Sequence, residues 1–147
     1  MEILDINYLK NKTTVNLFII PELAYTKLIP DFSHKVLCSL PELKDHNCIN
    51  DNGHEFEKEL DNTELAHAFE HIMMELISKN DPKMSFIEAW TSWNWKENER
   101  HTYTIDFKYT NKKVFQKALN QTLNILNKTF SRAIVTARSF EFALATN

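Results

Sequence analysis

The sequence predicts an α+β fold in which two main helices pack on a mostly antiparallel sheet. Three stretches support this fold class. Residues 62–80 and 112–130 carry apolar side chains at helical spacing, and residues 102–109 alternate between apolar and polar side chains. A chain of 147 residues is also the size of one domain, which buries roughly two-thirds of its unfolded surface. We therefore expect residues 1–147 to form a single domain with one hydrophobic core.

The part of the chain before the first main helix predicts one strand and one short helix. Residues 14–20 are rich in β-branched and aromatic side chains and stop at Pro21, which favours a buried strand. Residues 31–40 carry apolar side chains at helical spacing, with Asp31 as the helix cap. The following polar segment contains an Asn52-Gly53 turn signal. We expect that segment to be a connecting loop.

The first main helix, residues 62–80, is the most regular in the sequence. Asp61 and Glu64 fit a D-x-x-E capping pattern, which predicts where the helix begins. Its apolar band, which we expect to dock on the core, consists of Leu65, Phe69, Ile72, Met73, Leu76 and Ile77. Its opposite face carries Glu64, His67, Glu70, His71, Met74 and Glu75. The helix thus combines a packed face with a face that collects reactive side chains.

The residues after this helix predict a hairpin, a second main helix and a tail. Residues 84–95 are apolar on both faces, and residues 102–109 alternate, so the two stretches predict paired antiparallel strands. We expect this hairpin to pack against the first main helix. Residues 112–130 predict an amphipathic helix that covers the same sheet. The tail, residues 131–147, fits either a helix or an edge strand.

One chemical motif stands on the polar face of the first main helix, where residues 67–71 match H-x-x-E-H. Residues four apart lie on one face of a helix, so His67 and His71 can bind the same ion. Two neutral imidazoles suit zinc, or another divalent metal, with an oxygen ligand and one open position. Glu70 is close enough to activate a water there, as the glutamate of inverted zinc peptidases does. The alternative interpretation is a solvated helix face that carries two histidines by chance.

Several residues are candidates for a further metal ligand. The predicted metal site includes His46, from the loop before the helix, and Glu75, one turn beyond His71. Glu75 can alternatively support a ligand through a hydrogen bond. The third ligand of inverted zinc peptidases is a glutamate far downstream, where this chain offers Glu88 and Glu141. Neither of these two glutamates lies in a recognisable motif.

The two cysteines, Cys38 and Cys48, have neither the number nor the spacing of a disulfide framework or a cysteine-based zinc site. We expect Cys38 to be a small core residue. Cys48 follows His46 by two residues and can lie near the metal, but a buried structural role is favoured. Neither cysteine is expected to be a nucleophile.

Composition argues against several classes of function. A net charge of −3 indicates no basic surface for nucleic acid, and one glycine cannot build the glycine-rich loops that bind ATP or dinucleotides. No apolar run is long enough to cross a membrane, and the N-terminus lacks the pattern of a signal sequence. We therefore expect a cytoplasmic protein that contacts neither nucleic acid nor membrane. Whether it forms a homo-oligomer is left open.

Three segments in the same order resemble the N-terminal domain of cyanophycin synthetases. They are residues 40–48 (LPELKDHNC), residues 53–76 with GHEF and ELAHAFEHIMMEL, and residues 103–109 (YTIDFKY). The resemblance implies a metallohydrolase-like domain. In some members of that family the domain is thought to cleave an arginine-bearing poly-aspartate polymer, and in others to bind the polymer or act as a scaffold.

Two functions follow from the motif and the resemblance. The first is a zinc-dependent hydrolase of an amide or isopeptide bond, with Glu70 as the catalytic base and a peptide or amino-acid polymer as the substrate. The second is a non-catalytic module that binds such a polymer, or a partner synthetase, through the same surface. The substrate class comes from the family resemblance, whereas the reaction type comes from the motif.

Overall fold

A four-stranded antiparallel sheet forms one layer of the protein. The computed structural model describes residues 1–48, 55–84, 86–93 and 100–145, with residues 131–145 described by their backbone alone. In these ranges the strands are β1 (Glu2–Tyr8), β2 (Thr13–Phe18), β3 (Ala89–Ser92) and β4 (Thr102–Phe107). Their order in the sheet is β1-β2-β4-β3, so β1 and β3 are the edge strands.

Four α-helices accompany the sheet in the same described ranges: α1 (Phe32–Ser39), α2 (Phe56–Glu59), α3 (Leu65–Asn80) and α4 (Lys112–Ala145). Short 3₁₀ helices cover Pro21–Leu23, Thr26–Leu28 and Pro41–Asp45. Helix α3 packs against α4, β3 and β4, while Phe115 of α4 meets Phe107 of β4 edge to face. The predicted α+β fold, with two main helices on an antiparallel sheet, is therefore confirmed. No helix in the described ranges is long and apolar enough to cross a membrane.

The core lies between the sheet and the two main helices. Along β2 and β4 the inward residues Val15, Leu17, Ile105 and Phe107 are each 0% exposed, while their neighbours on the other face are partly exposed. The apolar band predicted for α3 is buried throughout: Leu65, Phe69, Ile72, Met73, Leu76 and Ile77. Burial of each such side chain contributes roughly 1.5–3 kcal/mol, so this contact orients α3 on the sheet.

Short helices cover the face of α3 that carries its polar side chains. The 3₁₀ helix Pro41–Asp45 packs on both α2 and α3, and it buries Leu43 beside the fully buried Phe56 of α2. His71 is only 3% exposed, and Glu70, which is hydrogen-bonded to β3, is only 5% exposed. The interpretation of this face as solvated is therefore wrong for these two residues, because α3 is packed on both sides.

Helix α3 begins three residues later than the capping pattern predicted. Its N-cap is Glu64, which has extended backbone angles and makes no side-chain capping bond. The reason is a tertiary contact: the Leu65 amide donates to the carbonyl of Ala24, and the Thr26 amide donates to the carbonyl of Thr63. These hydrogen bonds flank Glu64, which stays extended and pairs with Tyr25, and they override the local capping signal.

Strand β1 was absent from the expectations, and a β-bulge explains why. The register between β1 and β2 shifts between Ile3 and Asp5. Apolar residues therefore recur at Ile3, Ile6 and Tyr8 instead of at every second position, which removes the alternation that identifies a strand. As an edge strand, β1 also stays largely exposed.

Four further expectations differ from the structure or fall outside it. Within the described part of the predicted 84–95 stretch, β3 covers Ala89–Ser92, and the tail is helical as far as Ala145. Cys38, which was expected in the core, is exposed, because Phe32 and Val36 take the inward positions of α1. The predicted turn at residues 52 and 53 lies outside the described residues.

A partly buried hydrogen bond secures the C-terminal end of α3, and its removal should lower the stability of the protein. Tyr109 is 5% exposed, and its hydroxyl donates to Asp81 Oδ2 at 2.7 Å. We expect Tyr109→Phe to reduce the free energy of unfolding by about 1–2 kcal/mol, because a hydrogen bond to a charged group is lost. Urea denaturation of the variant and the parent protein measures the difference.

Tyr25→Phe provides the matched control, since Tyr25 is 41% exposed. This control should change the free energy of unfolding by no more than about 0.5 kcal/mol. Equal stabilities for Tyr109→Phe and the parent protein would show that the bond to Asp81 contributes nothing.

Candidate metal centre

A cysteine and two histidines meet on the covered face of α3. His67 and His71 lie four residues apart on this helix, and Cys48 reaches them from the segment that follows the 3₁₀ helix Pro41–Asp45. Cys48 Sγ is 3.6 Å from His67 Nε2 and 3.4 Å from His71 Nε2. The three donor atoms lie within 4.8 Å of one another. Thiolate sulfur and imidazole nitrogen are the donors that zinc prefers in proteins.

Phe56 holds the two imidazole rings in place. Its ring stacks on the His71 ring, with centroids 3.8 Å apart and planes 8° from parallel. The same phenyl ring meets His67 edge to face at 5.6 Å. Because Phe56 is 0% exposed, it excludes water from one side of both histidines. The four-residue helix α2 therefore acts as a hydrophobic wall of the site.

The second nitrogen of His67 is bound by the segment before α3. Thr63 Oγ1 lies 2.8 Å from His67 Nδ1, and the Glu59 carboxylate lies 3.9 Å from the same nitrogen. A hydrogen on Nδ1 can be donated to the threonine oxygen, which leaves the Nε2 lone pair directed to Cys48. The backbone hydrogen bond from Thr26 to Thr63, next to the extended Glu64, holds Thr63 in this position.

His46 and Glu75, both included in the predicted metal site, lie beside the cluster, where His46 contacts both His71 and Glu75. His46 Nδ1 is 3.1 Å from His71 Nδ1, and His46 Nε2 is 2.9 Å from Glu75 Oε2. The contact to His71 is therefore made on the side of its ring remote from Cys48. Lys79 Nζ lies 3.5 Å from the other carboxylate oxygen of Glu75. This arrangement corresponds to the alternative in which Glu75 supports a ligand through hydrogen bonds.

Glu70 points to the sheet side of the site and is held there by a strand. Thr91 of β3 donates a hydrogen bond to Glu70 Oε2 at 2.5 Å. Burial raises the pKa of Glu70 to about 6, although the hydrogen bonds from Thr91 oppose this shift. The charge of Glu70 also raises the pKa of Cys48, which shows that the carboxylate and the thiol interact electrostatically. A carboxylate with this pKa can accept a proton near neutral pH.

Burial disfavours charge on each of the three potential ligands. It raises the pKa of Cys48 to about 12, an effect that the neighbouring charges of Glu59 and Glu70 increase. It lowers the pKa of His71 to about 2, with smaller effects from His67 and His46. It also lowers the pKa of His67, although Glu59 opposes this shift. Both histidines are consequently neutral at physiological pH and retain a lone pair for a metal.

The structure brings together most of the residues named from the sequence and adds Cys48, for which a structural role was favoured. In the sequence, the only indication that Cys48 lies near the metal site was its position two residues after His46. The fold shows that the Cys48 thiol contacts His67. Glu88, a candidate third ligand, instead forms a half-exposed ion pair with Lys108. The side chain of Glu141, the other candidate, lies outside the described part of the chain.

The fold and the site define a two-layer α+β domain with a buried cysteine–histidine cluster on its central helix. A family model described as the cyanophycin synthase-like N-terminal domain matches residues 13–131. This chain belongs to that family, as the resemblance of its sequence segments predicted. The matched range contains the cysteine, both histidines and the glutamate of the site. A search of curated proteins finds no match to the chain.

The two cysteines should differ strongly in reactivity. In zinc-free protein at pH 8, we expect iodoacetamide to alkylate Cys38 at least about a hundredfold faster than Cys48. Cys38 is exposed, whereas Cys48 is 9% exposed and has a pKa of about 12, so very little of its thiol is ionised. Mass spectrometry of proteolytic peptides after timed alkylation measures both rates.

Unfolding in guanidinium provides the control, because it exposes both thiols and should bring the two rates close together. Equal rates in the folded protein would mean that Cys48 is not enclosed by the residues around it.

Proposed function

We propose that this protein is a metal-dependent hydrolase that cleaves an amide or isopeptide bond in a peptide or amino-acid polymer. The observation that carries the proposal is the convergence of Cys48, His67 and His71 on one point, next to the buried carboxylate of Glu70. Metal ligands close to a general base are the components of metal-assisted hydrolysis.

The two distances from the Cys48 sulfur to the histidine nitrogens fit a zinc ion. Bond lengths of about 2.0–2.3 Å in a tetrahedral site place neighbouring ligand atoms about 3.3–3.8 Å apart. Cys48 Sγ lies 3.4 Å from His71 Nε2 and 3.6 Å from His67 Nε2, within that range. Three protein ligands leave one position for water or substrate, the arrangement typical of a catalytic zinc site. The buried surroundings and the neutral imidazoles also favour a cation that stabilises the Cys48 thiolate.

Glu70 is the residue that handles the proton in the proposed reaction. Bound zinc supplies Lewis acidity, which polarises the amide carbonyl and makes water easier to deprotonate. Glu70 accepts the proton of the attacking water as the new carbon–oxygen bond forms. It then delivers that proton to the leaving nitrogen as the carbon–nitrogen bond breaks. The hydrogen bond from Thr91 to Oε2 of Glu70 fixes the orientation of the carboxylate.

Family membership supports the choice of substrate. The family description refers to cyanophycin synthase, so we propose an arginine-bearing poly-aspartate polymer, or peptides derived from it, as the substrate class. Such a polymer contains both peptide bonds along its backbone and isopeptide bonds to its side chains. The proposed chemistry applies to either bond.

The metal ligands can be tested by elemental analysis of protein purified without chelators. We expect about one zinc ion per chain in the parent protein, and about tenfold or greater loss of zinc affinity in Cys48→Ser, His67→Ala and His71→Ala. Each variant removes one of the three donor atoms that converge in the site. Competition with a coloured chelator measures the affinities.

The chain offers a matched control for each kind of substitution. Cys38 and His34 are an exposed cysteine and an exposed histidine on α1, where Cys38 Sγ lies 3.6 Å from His34 Nε2. Cys38→Ser and His34→Ala should leave zinc content unchanged. Parent protein that binds no zinc under these conditions would contradict the enzyme and favour a non-catalytic polymer-binding module.

The role of Glu70 can be tested separately from metal binding. We expect Glu70→Gln to retain zinc but to lower the rate of polymer cleavage by about 10²–10⁴-fold, because the amide cannot accept the proton of water. The measurement is the release of free amino groups from the arginine-bearing polymer and from short peptides derived from it.

Glu88→Gln is the control, since Glu88 is a half-exposed carboxylate paired with Lys108. This variant should cleave at the rate of the parent protein. Full turnover by Glu70→Gln would exclude Glu70 as the base, even if zinc remains bound.

A further inference from the structure

A chain of hydrogen bonds runs from Glu75 through His46 to His71. Glu75 Oε2 is 2.9 Å from His46 Nε2, and His46 Nδ1 is 3.1 Å from His71 Nδ1. The other nitrogen of His71, Nε2, faces Cys48 Sγ at 3.4 Å. His46 is the C-cap of the 3₁₀ helix Pro41–Asp45, whereas His71 and Glu75 lie on α3.

The donor and acceptor properties of these groups determine where each hydrogen lies. A carboxylate only accepts hydrogen bonds, so His46 Nε2 must carry the hydrogen that it shares with Glu75. When His46 carries a single ring hydrogen, its Nδ1 has only a lone pair. The hydrogen between the two Nδ1 atoms therefore belongs to His71, and a neutral His71 keeps its lone pair at Nε2. The chain thus turns the lone pair of His71 toward Cys48.

The opposite assignment would disable His71 as a ligand. If His71 carried its hydrogen at Nε2, an N–H group would point at Cys48, and no lone pair would be available on that side of the ring. Phe56 stacks on the ring and opposes reorientation of the imidazole. The choice between the two forms of His71 is therefore made by the partner of its Nδ1 atom.

We propose that Glu75 and His46 are positioning residues, which hold His71 in the form with hydrogen on Nδ1 and the lone pair on Nε2. Neither residue binds the metal itself. The consequence for metal affinity rests on the proposed function, whereas the position of the hydrogen on His71 does not. Lys79 completes the arrangement, since its ammonium lies 3.5 Å from the second oxygen of Glu75 and holds the carboxylate beside His46.

The test begins with zinc-free, ¹⁵N-labelled protein. Long-range ¹H–¹⁵N NMR distinguishes the two forms of a neutral histidine, and a His71→Asn variant assigns the signals of His71. We expect the parent protein to show hydrogen on Nδ1 of His71. Glu75→Leu removes the carboxylate and should allow the Nε2–H form of His71 to appear, whereas Glu75→Gln retains a carbonyl oxygen that can accept from His46.

Zinc affinity provides the second readout. We expect Glu75→Leu and His46→Leu to weaken zinc binding by about 10–100-fold, and Glu75→Gln to remain within about threefold of the parent protein. Glu42→Leu is the matched control, because Glu42 is an exposed carboxylate that binds the same Lys79 at 2.7 Å but does not contact His46. The control should change neither the NMR signals nor the affinity.

The two readouts separate this inference from the proposed function. Hydrogen on Nε2 of His71 in the parent protein, or unchanged signals and affinity in Glu75→Leu, would overturn the inference while leaving a zinc enzyme intact. Failure of the parent protein to bind zinc, together with the expected NMR signals, would overturn the proposed function and support the role of Glu75 and His46. Circular dichroism of each variant verifies that it is folded.

Discussion

The burial of helix α3 on both of its sides is the constraint on which the rest of the structure depends. One side carries an apolar band that packs on the sheet and on α4, and the other lies beneath α2 and the 3₁₀ helix Pro41–Asp45. The polar side chains on the second side have little access to bulk water, with His67 23% and Glu75 12% exposed. Each must therefore find a partner in the protein or bind a ligand, because an unpaired buried polar group costs about 1–3 kcal/mol.

The partners of these side chains come from three separate parts of the chain. Thr63 contacts Nδ1 of His67, and His46 contacts Nδ1 of His71. Thr91, on strand β3, donates a hydrogen bond to Glu70. On each histidine the partner occupies Nδ1, and Nε2 faces Cys48. The scaffold thus orients the two imidazoles and the carboxylate by hydrogen bonds that come from outside the H-x-x-E-H motif, as expected for a site that needs defined geometry.

Burial also determines the electrostatic character of the site. Desolvation by burial raises the pKa of Cys48 and lowers the pKa of His71, so a neutral thiol faces neutral imidazoles. None of these groups is charged in that state, although two carboxylates, Glu59 and Glu70, interact with the thiol. A metal cation could be held by this group, where it would pair with a thiolate and two imidazole lone pairs. The same electrostatics disfavour an anionic ligand at the cluster.

The sequence by itself determined the α+β class, the two main helices, the apolar band of α3 and the pairing of His67 with His71 on one helix face. Those features depend on side-chain periodicity, which short segments express without help from the rest of the chain. Only the tertiary structure decided that Cys48 joins the histidines and that α3 begins at Leu65. It also decided that His46 lies between His71 and Glu75 and contacts both. These features arise from hydrogen bonds and packing between segments distant in sequence, and no local pattern encodes which loop will cover a helix. Strand β1 was not predicted for a related reason. Its bulge is defined by the pairing of β1 with β2, which the local sequence does not reveal.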